Sequence, residues 1–208
     1  CEEKNVKRII SAAMAILMIS VCLTGCDILS GGKNNIGKTD NTIISVYDAL
    51  KENLAERGKE GYLLYGAKLL VNSENVGNYT YVYTDKRPDD MKYSDILIVE
   101  VNNRTGRIEK CSAPDYADYG AMPYELISHA MPLEPDTFEA DSDTAVKNAA
   151  LAHQGSGFVY NYVELTLCYK NGMPLYEIDH ISLVNSCVYH SVVDVMSGEV
   201  INKSVEEL

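Results

Sequence analysis

Cys168, His180, Cys187 and His190 fall within 23 residues, and thiolate and imidazole are the ligands zinc takes. Their spacing, C-x11-H-x6-C-x2-H, lacks the short paired intervals of structural zinc sites. In a regular strand Cys187 and His190 would also face opposite sides. Core or edge positions are therefore expected for all four, with no metal and no cofactor. A cysteine nucleophile served by His129, His153 or His180 would carry a local family signature, and none is present. The chain also lacks G-x-S-x-G, H-E-x-x-H and a phosphate-binding loop. Glu139-Ala140-Asp141-Ser142-Asp143 lacks the glycine and bidentate glutamate of a calcium loop. It suits the entry to a helix, where acidic groups meet the positive end of the dipole. No catalytic residue is assigned, and a non-enzymatic protein is expected.

One cysteine stands apart. Lys4, Lys7 and Arg8 precede an apolar run from Ile9 to Leu23, and the run closes on Leu23-Thr24-Gly25-Cys26. A basic segment, an apolar segment and small residues at a cleavage site make a secretory leader. The Leu-Thr-Gly-Cys ending resembles the lipobox of bacterial lipoproteins, whose cysteine takes diacylglycerol in thioether linkage and becomes the mature N-terminus. A retained spanning helix would need roughly 20 apolar residues, more than this run offers. Two acyl chains suffice for stable anchoring. The resemblance implies a leader over residues 1–25, lipid on Cys26, and a place on the extracytoplasmic face of the cell membrane.

With the leader removed, 15 basic residues face 28 acidic ones, a net charge of −13. Such a body repels phosphate backbones, so nucleic acid is excluded as a partner. Cys111, Cys168 and Cys187 remain beyond the lipid site, an odd and sparse set that reads as free thiols rather than a disulfide framework.

Residues 26–42 are rich in Gly, Asn, Ser and Lys without apolar period, as a flexible tether would be. Ile43, Val46, Tyr47, Leu50 and Leu54 then recur at helical spacing, with Gly58 as a stop. Strand-like runs follow at 62–71, 79–84, 95–102 and 107–111. Four of the six prolines crowd into 112–140, a linker with room for a short helix after Pro123. A second helical run, Asp143 to His153, precedes strands at 160–169, 175–182 and 187–196, the first two joined by Asn171-Gly172. The expected fold class is α+β. Two small modules, 43–111 and 141–208, would each set one helix on a three- to four-stranded antiparallel sheet.

The modules end alike. Val101-Asn102-Asn103-Arg104-Thr105-Gly106-Arg107-Ile108 aligns without gaps on Val193-Asp194-Val195-Met196-Ser197-Gly198-Glu199-Val200. Asn or Asp can bond the following backbone, and Gly106 and Gly198 supply positive φ at a tight turn. Two copies, each closing a helix-plus-strands unit, point to an internal repeat. The second unit resembles a PepSY domain, through Ala150-Leu151-Ala152-His153-Gln154-Gly155, Gly172-Met173-Pro174-Leu175-Tyr176-Glu177-Ile178 and Gly198-Glu199-Val200. The first is PepSY-like and departs in having Asn102 at the acidic position. PepSY modules occur in protease propeptides and envelope proteins. The resemblance implies binding or restraint of a protein or peptide partner, a protease among the candidates. The alternatives are an envelope hydrolase of unrecognised type and a structural spacer. Tyr79, Tyr81 and Tyr83 share one face of a strand. They are the candidate partner contact, with ordinary sheet packing as the competing reading.

Overall fold

The structure is a computed structural model, and it describes residues 42–72, 76–127, 130–155 and 157–208. Cys26, with the leader and tether, lies outside the described residues. The chain begins with helix α1 (Ile43–Glu56), whose Ile43, Val46, Tyr47, Leu50 and Leu54 are buried, the stripe expected from their spacing. Strands β1 (Leu63–Asn72), β2 (Gly77–Thr84), β3 (Ile96–Asn102) and β4 (Ile108–Ser112) follow. Short helices α2 (Tyr116–Tyr119) and α3 (Met122–Ile127) come next. Then helix α4 (Ser142–Ala152) leads to β5 (Tyr162–Lys170), β6 (Met173–Ser182), β7 (Cys187–Asp194) and β8 (Val200–Glu207).

The two expected sheets are one. Among the described residues all eight strands join in the order β4-β3-β2-β1-β5-β6-β7-β8, every neighbouring pair antiparallel. The seam is β1 against β5, with Ala67 opposite Leu167 and Leu69 opposite Leu165. Each would otherwise present an open edge of unpaired backbone beside an apolar face, and pairing them removes both edges at once. The fold is thus α+β with a single sheet. The segment 112–140 contributes α2, α3 and a 3-10 turn at Pro135–Thr137.

The period of two divides the strands between two layers. On one face α1 and α4 cover a core that includes Leu69, Tyr79, Tyr81, Tyr83, Val99, Leu165, Leu167, Tyr176, Ile178 and Val193. On the other, α3 covers a smaller cluster over the first strands, with Tyr65, Val82, Ile96, Ile98 and Ile127 buried in it. Both closing turns have the same geometry. Gly106 N–H donates to Asn102 O and Gly198 N–H to Asp194 O, with φ of 67° and 72° at the glycines. Each turn has a register shift beside it in the same place, between Glu100 and Val101 and between Val192 and Val193. After the second turn the chain continues as β8, a strand the sequence reading omits. Its residues beyond Val200 are exposed on both faces, so no alternation betrays it.

The helix starts meet at one carboxylate. Asp141 caps α4 by accepting from Ser142 N–H at 2.6 Å, and it also accepts the Thr42 hydroxyl proton and the Ile44 N–H at 3.1 Å. Ser142 Oγ accepts from Ile43 N–H at 3.2 Å and lies 2.9 Å from the Tyr79 hydroxyl. Groups that α1 leaves unsatisfied at its first turn are therefore completed from the second half of the chain.

Candidate binding face

Tyr79, Tyr81 and Tyr83 are not a contact surface. They are 2%, 0% and 1% exposed, packed under α1 and α4. A strand tyrosine offers an apolar body to whatever faces it, and here two helices cover that side of β2. The sequence could not supply this, because the same alternation serves a wet face and a helix-covered one. Gly106 and Gly198 hold turns at the ends of β3 and β7.

The four metal-type residues are split by the pleat. His180 and Cys187 turn toward the helix-covered core, where both are buried. Cys168 and His190 sit on the opposite side, His190 opposite Asp179 in the register. Among the described residues no cluster of three or more His, Cys, Asp or Glu could hold a metal ion. Cys168 on β5 and Cys187 on β7 are separated by β6, and all three cysteines of the described residues are free.

What the sheet leaves open is the far side of β5–β7, beyond the reach of α3. The strands alternate there between core residues, Val163, Leu165, Leu167, Tyr176 and Ile178, and partly exposed polar ones, Glu164, Thr166, Glu177, Asp179 and His190. Where α3 ends its cover, a cleft of about 450 Å3 opens along the β1–β5–β6 junction. Its floor is Lys68, Thr166, Cys168 and Glu177, its wall Met122, Glu125 and Leu126 of α3, and Tyr169 to Asn171 close one end. Gly66 beneath allows α3 to lie close: a Cβ there would stand 3.0 Å from Leu126 Cδ1 and 3.1 Å from Leu167 O.

The charges on this face are matched. Lys68 pairs with Glu164 at 2.5 Å, Lys170 with Glu177 at 2.5 Å, and Asp179 Oδ1 holds His190 Nδ1 at 2.6 Å. Burial, aided by the Glu177 charge, pushes the Cys168 thiol up to about 11. That thiol is protonated at neutral pH and is a poor nucleophile. The cleft therefore offers a mixed wall, with Met122 and Leu126 apolar and Glu125 charged, and a floor of paired charges, the Thr166 hydroxyl and a neutral thiol.

The fold has a solved counterpart. This chain is similar to a crystal structure of a provisionally assigned lipoprotein from Clostridium difficile 630, with a TM-score of 0.53. The match covers 82% of this chain and 97% of that one at 13% sequence identity, a likeness of fold. No protein-family model and no curated protein matches the chain. No described helix is long and apolar enough to cross a membrane.

The cleft residues Lys68, Thr166, Cys168, Glu177 and Leu126 were missed in the sequence. The signal for the floor was there: Glu164-x-Thr166-x-Cys168-x-Lys170 and Glu177-x-Asp179 alternate with apolar neighbours, which marks a half-wet sheet. The position of α3 above it had no such signal.

Proposed function

We propose that this protein is a lipid-anchored bacterial envelope protein that binds an extended peptide or protein segment, and that it acts by holding that partner rather than by catalysis. The observation that carries the reading is the cleft beside α3, an uncovered stretch of sheet walled by Met122 and Leu126 beside Glu125, with internally paired charges on its floor. The anchoring rests on Leu23-Thr24-Gly25-Cys26 and agrees with the fold shared with a chain provisionally assigned as a lipoprotein. The protein is further read as a duplicated PepSY-like unit, fused edge to edge through β1 and β5. Two observations support that reading: the matching glycine turns, and the register shifts that follow Glu100 and Val192. A restrained protease segment is the partner the PepSY resemblance suggests.

A photo-crosslinking residue at Glu125, exposed on the cleft wall, tests the binding site in the lipidated protein within its own membranes. A discrete protein adduct is expected on illumination, and Thr166→Arg, which fills the cleft floor, should abolish it without lowering the unfolding temperature. The same crosslinker at exposed Glu52 of α1 should give no such adduct. Adduct formation that persists in the Thr166→Arg background would remove the cleft from the binding reading.

A further inference from the structure

His180 is fully buried on β6, and among the described residues neither of its ring nitrogens has a hydrogen-bond partner. It lies in a box of rings. Tyr160 and Phe158, from the connection between α4 and β5, meet it edge-on at centroid distances of 4.8 and 5.6 Å. Tyr189 is its cross-strand neighbour on β7 and packs on Phe158 at 4.9 Å. His153, the residue that ends α4, packs on Tyr189 and Phe158, and its Nε2 lies 3.0 Å from Ser191 Oγ and from His190 O. These contacts fasten the last turn of α4 to the sheet. Tyr83 holds the matching place in the first half: Tyr79 pairs with Val101 as Tyr176 pairs with Val193, and Tyr83 stands four residues after the first as His180 stands four after the second.

We propose that this ring box is an acid-labile fastening, and that charging of His180 at mildly acidic pH loosens α4, Phe158 and Tyr160 from β6 and β7 while the first half keeps its packing. An imidazolium needs two acceptors, and the box offers none. The titratable groups around it are His153 from α4, Tyr160 from the following connection, Tyr189 and Cys187 from β7, and Asp179 next along β6. A charge on His153 opposes one on His180. Asp179 favours it, but its carboxylate faces the other side of the sheet and is already bonded to His190. Burial, with His153 adding to it, lowers the His180 pKa from 6.5 to about 4. The closed form binds fewer protons than the opened one. Closure is therefore fully favoured above pH 6.5 and weakens as pH falls toward 4. Tyr83, which titrates far above this range, does not respond.

Amide hydrogen exchange by NMR, corrected for the intrinsic pH dependence, tests this on the folded chain. Between pH 7 and about pH 5, protection in β6, β7 and the last turn of α4 should fall by about 20-fold in the unmodified protein. Protection in β2 and β3 should hold, and His180→Phe should abolish the fall in β6 and β7. Equal losses in both halves, or the same loss in His180→Phe, would overturn the proposal. Should that variant fail to fold, the ring signals of His180 in the unmodified protein decide: an imidazole that stays neutral in the closed form at about pH 5 while protection in β6 and β7 falls supports it, and titration near 6.5 or unchanged protection refutes it.

Discussion

Tyr81 and Tyr83 carry buried hydroxyls that meet no partner among the described residues, whereas Tyr79 has Ser142 Oγ at 2.9 Å and Tyr176 donates to Ala140 O at 3.2 Å. Their rings fill the core under two helices, and the oxygens of the first pair are desolvated without return. Replacing Tyr81 or Tyr83 with Phe should therefore leave stability unchanged or raise it by about 1 kcal/mol, as read from urea unfolding. Tyr79→Phe should lower stability by about 1 kcal/mol, because Ser142 then loses a partner at the helix junction. Removing the whole ring differs in kind: Tyr81→Ala should cost about 3 kcal/mol or more through the cavity it leaves. Loss of stability on Tyr81→Phe would mean that its hydroxyl does bond within the core.

At the scale of elements, the junction of α1 and α4 concentrates two helix starts on Asp141. An ordinary N-cap satisfies its own helix, while this one also accepts from Thr42 and Ile44. Asp141→Ala should cost about 2 kcal/mol, toward the upper end for a single cap. Asp141→Asn, which keeps an acceptor oxygen, should recover more than half of that. Thermal unfolding of the two variants measures both, and equal losses would show that the carboxylate charge, not its acceptor geometry, holds the junction. The same elements explain where α3 lies. Ile127 is buried against the far side of β1–β3, and the helix is too short to reach β6 and β7. The cleft exists because that cover stops.

At the scale of the whole molecule, the proposed lipid anchor is tested at Cys26. Cys26→Ala should leave the protein uncleaved or released, and it should no longer partition into a detergent phase. Unchanged partitioning of that variant would exclude the lipid anchor. Among the described residues, α1 is capped by Thr42 where the two helix starts meet at Asp141.

Much of this body is written locally. The α1 stripe, the turn glycines Gly106 and Gly198, the Asn171-Gly172 hairpin and the alternation of β5 and β6 are short-range patterns, and short-range sterics and burial decide them. The resemblance of Leu23-Thr24-Gly25-Cys26 to a lipobox is likewise a short-range pattern, outside the described residues. Other features depend on residues that only the fold brings together. Whether Tyr79, Tyr81 and Tyr83 face water or helices depends on where α4 lands. Whether β1 and β5 are edges or a seam depends on their meeting each other, and the same apolar strand serves either purpose. His180 became an unpartnered buried base only because Phe158, Tyr160 and Tyr189 closed over it. Periodicity names the face of a strand that seeks cover. Which element supplies the cover, and where it runs out to leave a cleft, is settled by packing across the whole sheet.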